Sequence, residues 1–167
     1  MSGDIGTVDR GLTHVALPVT DIDASIEFYR RYADMDVVHR RRDDETGTTV
    51  VWISDRTRPF VVVLIEQAAI SHALGGFAHL GVGCPSREEV DRRCDAARRE
   101  GRDVLGPLDS GYPVGYWAIV PDPDGHNLEL SHGQEVGLAV ERAAIEASAR
   151  GVRYPEQERP GPERPGP

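Results

Sequence analysis

Residues 12–19 of the chain read LTHVALPV, and residues 77–84 read FAHLGVGC. Both stretches alternate apolar residues with small or polar ones, as a half-buried β-strand does, and both have a histidine in third place. The spacing from His14 to His79 is about 65 residues, which is too long for a solenoid repeat and suits a duplicated module. The sequence therefore predicts one structural unit that occurs twice.

The segments after these two strands repeat as well. Asp21 opens an amphipathic helical pattern, and Ser86 and Glu89 have the spacing of a capping box at the start of a second helix. Three strand-like runs follow each helix, the first set being DVVHRR, TTVVWIS and PFVVVLIEQ, and the second lying around RDVLG, GYWAIVP and HNLELSH.

This order predicts an α+β fold in which two βαβββ modules form curved mixed sheets around a metal or ligand cavity. We expect the modules to occupy residues 11–72 and 73–133, followed by a C-terminal helix over residues 134–150. Residues 1–10 are expected to be flexible, and the Pro/Gly-rich tail of residues 151–167 to be disordered.

The composition excludes several partners. The 167 residues carry 19 basic and 28 acidic side chains, and every basic residue is arginine, for a net charge of −9. Nucleic acids and anionic membranes both require concentrated positive charge, so we expect neither as a partner. No apolar run approaches the roughly 20 residues that span a bilayer, and the N-terminus lacks a secretory signal, which predicts a cytoplasmic protein. Cys84 and Cys94 are too few for a disulfide framework.

Strand alternation places three candidate metal ligands on faces away from the core. His14 lies opposite the apolar face of its strand, His79 lies opposite that of the equivalent strand, and Glu129 alternates with Leu128 and Leu130. Two imidazoles and one carboxylate form the facial set that holds a divalent metal and leaves positions open for substrate or oxygen.

Three segments, THVALPVTDIDASIEFYRR, FAHLGVG and DPDGHNLEL, in this repeated order, resemble the vicinal oxygen chelate superfamily. That superfamily includes glyoxalase I, extradiol dioxygenases and bleomycin-resistance proteins, and the resemblance covers about residues 11–133. It implies that His14, His79 and Glu129 are metal ligands. The family's fourth ligand position falls at Val63, so Glu66 could serve as a fourth ligand only through a register shift or bulge.

The resemblance implies a divalent-metal-dependent enzyme, glyoxalase- or dioxygenase-like, that binds a small-molecule substrate through vicinal oxygens. Fe(II) or Mn(II) is the expected ion, with Ni(II) or Zn(II) possible, and a homodimer is the expected working unit. The alternative is a metal-free protein of the bleomycin-resistance type that sequesters a drug or natural product, with its acidic surface attracting a cationic ligand.

Aromatic residues provide the candidate substrate contacts, and they are Trp52, Tyr112, Tyr116 and Trp117. The basic run of residues 40–42 could meet an anionic substrate, but it stands beside three acidic residues, which favours a solvated hairpin end. His126 and His132 share the face of Leu128 and Leu130 by alternation, which favours a structural or supporting role.

Overall fold

The computed structural model describes residues 11–151, which form eight strands and three helices. The strands are β1 (His14–Val19), β2 (Asp36–Arg42), β3 (Thr49–Ser54), β4 (Val61–Glu66), β5 (Leu80–Gly83), β6 (Leu105–Asp109), β7 (Tyr116–Pro121) and β8 (Asn127–His132). The helices are α1 (Ile22–Ala33), which follows β1, α2 (Arg87–Arg99), which follows β5, and α3 (Val136–Ala149). The predicted flexible N-terminus, residues 1–10, and all of the predicted tail of residues 151–167 except Gly151 lie outside the described residues.

The strands form two mixed sheets with the same topology. The first sheet has the order β1-β4-β3-β2 and the second the order β5-β8-β7-β6. In each sheet the first and last strands of the module are parallel neighbours, while the other pairs are antiparallel. The prediction of an α+β fold with two βαβββ modules is confirmed.

Local capping explains where α1 begins and ends. The Asp21 side chain accepts hydrogen bonds from the backbone N–H groups of Asp23 and Ala24, at 3.1 and 2.9 Å. The helix ends at Asp34, whose φ of 53° lies in the left-handed region. The apolar face between these caps packs against the first sheet.

Both modules contribute to one hydrophobic core. Leu17 and Leu64 of the first sheet, Leu128 and Leu130 of the second, and Cys94 of α2 belong to the same buried cluster. Each sheet therefore has one face against the shared core and one opposite face, which we call its far face. Cys84 and Cys94 are both buried and free.

A buried histidine connects the modules through hydrogen bonds. His126 is 1% exposed, accepts from the backbone N–H of Leu74 at Nδ1, and donates from Nε2 to the carbonyl of Pro18, both at 2.8 Å. The Tyr29 hydroxyl donates to Asp122 at 3.1 Å, and burial next to that carboxylate raises the pKa of Tyr29. The two hydrogen bonds of His126 thus give it the structural role that the sequence predicted.

A buried arginine connects α2 to the end of α1. Arg93 donates to the carbonyl of Tyr32, to Asp34 and to Glu89, at 2.6–2.8 Å. Arg92 also donates to Glu89, and these hydrogen bonds lower the pKa of Glu89 from 4.5 to about 2. Glu89 is therefore ionised at neutral and mildly acidic pH.

The C-terminal helix α3 belongs to a second unit that begins at Glu135. The helix was expected over residues 134–150 and spans Val136–Ala149. Val140 and Ile145 are 63% and 70% exposed, whereas Ala147 is buried. None of the described helices combines the length and the apolar character needed to cross a bilayer.

Candidate metal and substrate site

The structure brings two of the three predicted ligands together. His79 immediately precedes β5, Glu129 lies on β8, and Nε2 of His79 is 3.5 Å from Oε2 of Glu129. Glu129 is only 6% exposed, although no arginine pairs with it among the described residues. A buried carboxylate requires either a hydrogen-bonded partner or a cation, so the surroundings of this pair determine what it can bind.

Other contacts fix the orientation of both side chains. Nδ1 of His79 lies 2.8 Å from the carbonyl of Phe77, which can only accept, so Nδ1 carries a proton and Nε2 of the neutral ring keeps its lone pair. Gln134 donates to Oε1 of Glu129 at 2.7 Å. The two atoms left to face each other, Nε2 and Oε2, are both acceptors. An acceptor pair of this kind is satisfied by a shared cation, either a proton on His79 or a metal ion.

The neighbouring strand leaves room beside this pair. Gly81 is the residue opposite Glu129 in the parallel pairing of β5 and β8. A Cβ atom built at Gly81 would meet no other atom within 4 Å. The donor set and this open space together fit a divalent ion with free coordination positions.

The first sheet repeats this geometry with one ligand missing. His14 begins β1 just as His79 precedes β5, and Ala16 pairs with Val63 as Gly81 pairs with Glu129. Val63 therefore occupies the position equivalent to Glu129. The Thr13 hydroxyl lies 3.0 Å from Nδ1 of His14, where it can accept a hydrogen bond from Nδ1–H and leave the lone pair of Nε2 available.

The possible fourth ligand, Glu66, lies away from His14. Glu66 is the last residue of β4 and pairs with Val19, whose side chain is in the core. By strand alternation it is on the other face from Val61 and Val63. It borders a small surface depression together with residues 46–48.

A cavity of about 570 Å³ lies against the far face of the first sheet, and His14 is part of its wall. Most of its other lining residues are apolar or small, and they include Ala16, Val50, Trp52 and Val63. Trp52 is 41% exposed, and its ring lies 4.9 Å from that of His39. The cavity thus offers an apolar surface for a ligand next to a candidate metal ligand.

Three arginines also line this cavity, and they are Arg41, Arg56 and Arg58. Arg41 has a side chain that is 53% exposed, as expected for a solvated hairpin end, and it also belongs to the cavity wall. Its position depends on an irregularity in β2 between Val37 and His39, which shifts the pairing with β3. Sequence alternation alone contained no signal for this shift. The contact of Gln134 with Glu129 was also not predicted, because Gln134 follows the last strand of the sheet, where alternation no longer applies.

The remaining aromatic candidates separate into different environments. Trp117 pairs with Ser131 on the same strand face as Glu129, and its Nε1 donates to Ser110 at 2.9 Å. Tyr116 lies on the opposite face, packs against the core, and donates to Asp91 of α2 at 2.6 Å. Tyr112 is 73% exposed in the loop between β6 and β7. The structure does not place Tyr116 beside Glu129.

One chain does not assemble the complete triad. Over residues 11–151, no three His, Cys, Asp or Glu side chains approach each other closely enough to hold a metal ion. His14 belongs to the far face of the first sheet, whereas His79 and Glu129 belong to that of the second. Each chain therefore presents one histidine at one place and a histidine–carboxylate pair at another.

Comparisons with known proteins agree with this architecture. Residues 11–130 match the family model described as the glyoxalase/bleomycin resistance protein/dioxygenase superfamily. The chain is 36% identical over 137 residues to the uncharacterized protein PA2024 of Pseudomonas aeruginosa, covering 80% of this chain and 96% of that one. It is 27% identical over 137 residues to a probable lactoylglutathione lyase of Vibrio parahaemolyticus, covering 78% and 96%.

A solved structure shows the same fold. The trypanothione-dependent glyoxalase I of Leishmania major superposes with a TM-score of 0.62 at 22% identity, covering 87% of this chain and 100% of that chain. The duplicated modules, the matched family model and this superposition lead to one assignment. The chain belongs to the glyoxalase/bleomycin resistance protein/dioxygenase superfamily, whose members are vicinal oxygen chelate proteins.

Proposed function

We propose that the protein is a divalent-metal-dependent enzyme that binds a small substrate through vicinal oxygens, with His14, His79 and Glu129 as the metal ligands. The observation that carries this proposal is the pair of acceptor atoms 3.5 Å apart, Nε2 of His79 and Oε2 of Glu129. Relatives named as lactoylglutathione lyases support a glyoxalase-like reaction, and a dioxygenase-like reaction is the alternative.

A bound divalent ion would supply Lewis acidity for negative charge that develops on the substrate oxygens. The described residues prepare the site for it. Phe77 and Gln134 orient His79 and Glu129, and the core excludes water from behind the carboxylate. The donor set of nitrogen and oxygen atoms favours Fe(II) or Mn(II), and it also accommodates Ni(II) or Zn(II).

The proposed working unit is a homodimer, because one chain keeps His14 away from the other two ligands. In a twofold dimer, the far face of the first sheet of one chain would meet that of the second sheet of its partner. Each of the two equivalent sites would then receive His14 from one chain, and His79 with Glu129 from the other.

Metal binding tests the ligand assignment. Metal-free protein is titrated with Fe(II) under anaerobic conditions, and then with Mn(II), Ni(II) and Zn(II), and the bound ion is counted by plasma mass spectrometry. We expect about one ion per chain, with loss of binding in His79→Ala and Glu129→Gln. The exposed His72→Ala is the matched control and should bind as the wild type does. Unchanged binding in His79→Ala and Glu129→Gln would show that this pair does not hold the metal.

Subunit mixing tests the shared site. Neither His14→Ala nor Glu129→Gln should bind metal alone, but their co-expression should restore about one quarter of the sites, because random pairing gives each mixed dimer one intact site. No restoration, in dimers shown by mass spectrometry to be mixed, would refute a site shared between chains.

The metal-free binding alternative predicts a different outcome. In that case no ion binds, and ligand affinity does not depend on His79 or Glu129. The charged groups that line the cavity are all arginines, which opposes the cationic ligand that the acidic overall composition suggested.

A further inference from the structure

The charge of the cavity on the first sheet is opposite to that of the whole protein. The chain has a net charge of −9, yet the side chains that line this cavity include three arginines and no aspartate or glutamate. A random patch of so acidic a protein would be expected to carry carboxylates. The cavity therefore has a local preference for anions.

Strand register shows how the arginines are distributed along the cavity. His14 pairs with Val61, the residue that follows the Arg56–Phe60 turn, so Arg56 and Arg58 lie at the same end as His14. Arg41 pairs with Val50, which pairs in turn with Ile65 at the other end. From Val61 to Ile65 the strand rises about 13 Å.

The surface between these ends is apolar. Trp52 pairs with Val63, and Val63 pairs with Ala16, so a tryptophan, a valine and an alanine lie side by side across three strands. None of them offers a polar side-chain group in the middle of the cavity except the indole N–H of Trp52. A ligand that fits here presents an apolar body to these residues.

The turn that carries the two arginines is held in place by its own hydrogen bonds. Ser54 donates from Oγ to the carbonyl of Phe60 at 2.9 Å and accepts from the backbone N–H of Arg56 at 3.0 Å. Asp55 accepts from both the backbone N–H and the hydroxyl of Thr57. Arg56 has a φ of 61°, a left-handed conformation that is costly for arginine.

The three arginines differ in how far carboxylates already neutralise them. Arg56 forms an ion pair of 2.6 Å with Asp36, and Arg41 forms a longer one of 3.7 Å with Asp43. Arg58 forms no ion pair with any carboxylate of residues 11–151, and its side chain donates from Nε to the hydroxyl of Thr57 at 3.4 Å. Arg58 is thus the arginine with the most charge available for a ligand, and it is at the His14 end.

We infer that the substrate is a small organic anion with an apolar body, and that Arg58 holds its carboxylate or similar oxyanion next to His14. The apolar body extends along Trp52 and Val63 towards Ile65. This inference rests on the proposed function in that it names the substrate class of the same site, but the cavity binds the anion whether or not a metal is present.

Two fluorescent probes with the same rings test this assignment. The anion 8-anilinonaphthalene-1-sulfonate and its uncharged analogue N-phenyl-1-naphthylamine are titrated into metal-free and Mn(II)-loaded protein. Arg58→Gln should weaken binding of the anion about tenfold, since hydrogen bonds to charged groups have this magnitude, and leave the uncharged probe within about twofold. Trp52→Ala should weaken both probes.

Matched controls and the opposing outcomes complete the design. Arg42→Gln removes the neighbour of Arg41 on β2, which does not line the cavity, and Arg99→Gln removes an exposed arginine of α2, so both should bind the probes as the wild type does. Equal loss of both probes in Arg58→Gln, or no loss of either, would overturn the inference. Failure of the wild type to bind either probe would also overturn it.

The two proposals fail separately. If Mn(II) binds through His79 and Glu129 but Arg58→Gln has no effect on the anionic probe, the substrate class is wrong and the metal site stands. If binding of the anionic probe depends on Arg58 and no metal binds, the metal site is wrong and the substrate class stands.

Discussion

Replacing Gln134 by leucine should weaken metal binding without removing any ligand. Gln134 donates a 2.7 Å hydrogen bond to Oε1 of Glu129, a carboxylate that is 6% exposed. Leucine has a similar size but no donor, so Oε1 loses a hydrogen bond that water cannot easily replace. The other carboxylate oxygen still faces His79, but its orientation is no longer fixed.

The expected magnitude follows from that single contact. A hydrogen bond to a charged group contributes about 1.5–3 kcal/mol, and each 1.4 kcal/mol changes a dissociation constant about tenfold. The dissociation constant for Mn(II) should therefore rise about tenfold to a hundredfold, which is also the usual effect of removing a contact behind a metal ligand.

Isothermal titration calorimetry of metal-free protein with Mn(II) measures this effect. Gln67→Leu is the matched control, because it makes the same change at an exposed glutamine and should leave the dissociation constant unchanged. Thermal unfolding without metal checks that both variants are folded. If Gln134→Leu binds Mn(II) as tightly as the wild type while Glu129→Gln does not bind it, then the orientation of Glu129 does not depend on Gln134 and the reasoning is wrong.

Three further changes test the fold and the site. Glu89→Gln should lower the free energy of unfolding by about 2 kcal/mol at pH 7, since a shift of the Glu89 pKa from 4.5 to about 2 is worth about 3 kcal/mol before screening. Because the folded pKa is depressed, this stability is present above pH 4.5 and is lost as the pH falls towards 2. Urea unfolding should therefore show the stabilities of the two proteins converging at low pH, whereas Glu27→Gln, in an exposed ion pair, should show no such trend. Val63→Glu should tighten Mn(II) binding about tenfold by adding a carboxylate where the second module has Glu129. Val38→Glu, at a position that lines the same cavity on β2, should not tighten it, and equal Mn(II) titration curves for the two variants would exclude Val63 as a ligand position. Tyr29→Phe should cost about 1–3 kcal/mol of unfolding free energy, because a buried carboxylate loses its donor, and a cost near zero in chemical denaturation would show that the hydroxyl contributes nothing.

The sequence predicted the fold because its two modules carry the same signals in the same order. The alternation around His14 and His79, together with the cap at Asp21, was enough to place both first strands and both helices. These signals are local, so they can be recognised in a single sequence. Alternation with Leu128 and Leu130 placed Glu129 on the face away from the core, whereas its pairing with Gly81 is known only from the structure.

The features that the sequence did not predict depend on contacts between distant segments. The irregularity in β2 between Val37 and His39 places Arg41 in the cavity, and only the pairing with β3 determines it. Tyr116 and Trp117 are neighbours in the chain, so one must face the core, and the register with β8 decides which one does. Gln134 was missed for a different reason, because it lies only five residues after Glu129 but beyond the end of β8, where strand alternation no longer indicates the direction of a side chain.

Because both modules share one core, a cut in the chain between them should not separate them. Residues 67–78 connect β4 to β5, and most of their side chains are exposed. A protease that cuts this connection should leave two fragments that remain associated, because Tyr29 and His126 connect them and one apolar cluster includes both. The two halves could then be expressed as separate polypeptides and recombined, which would make the protein a natural scaffold for fragment complementation, with restored metal binding as the signal.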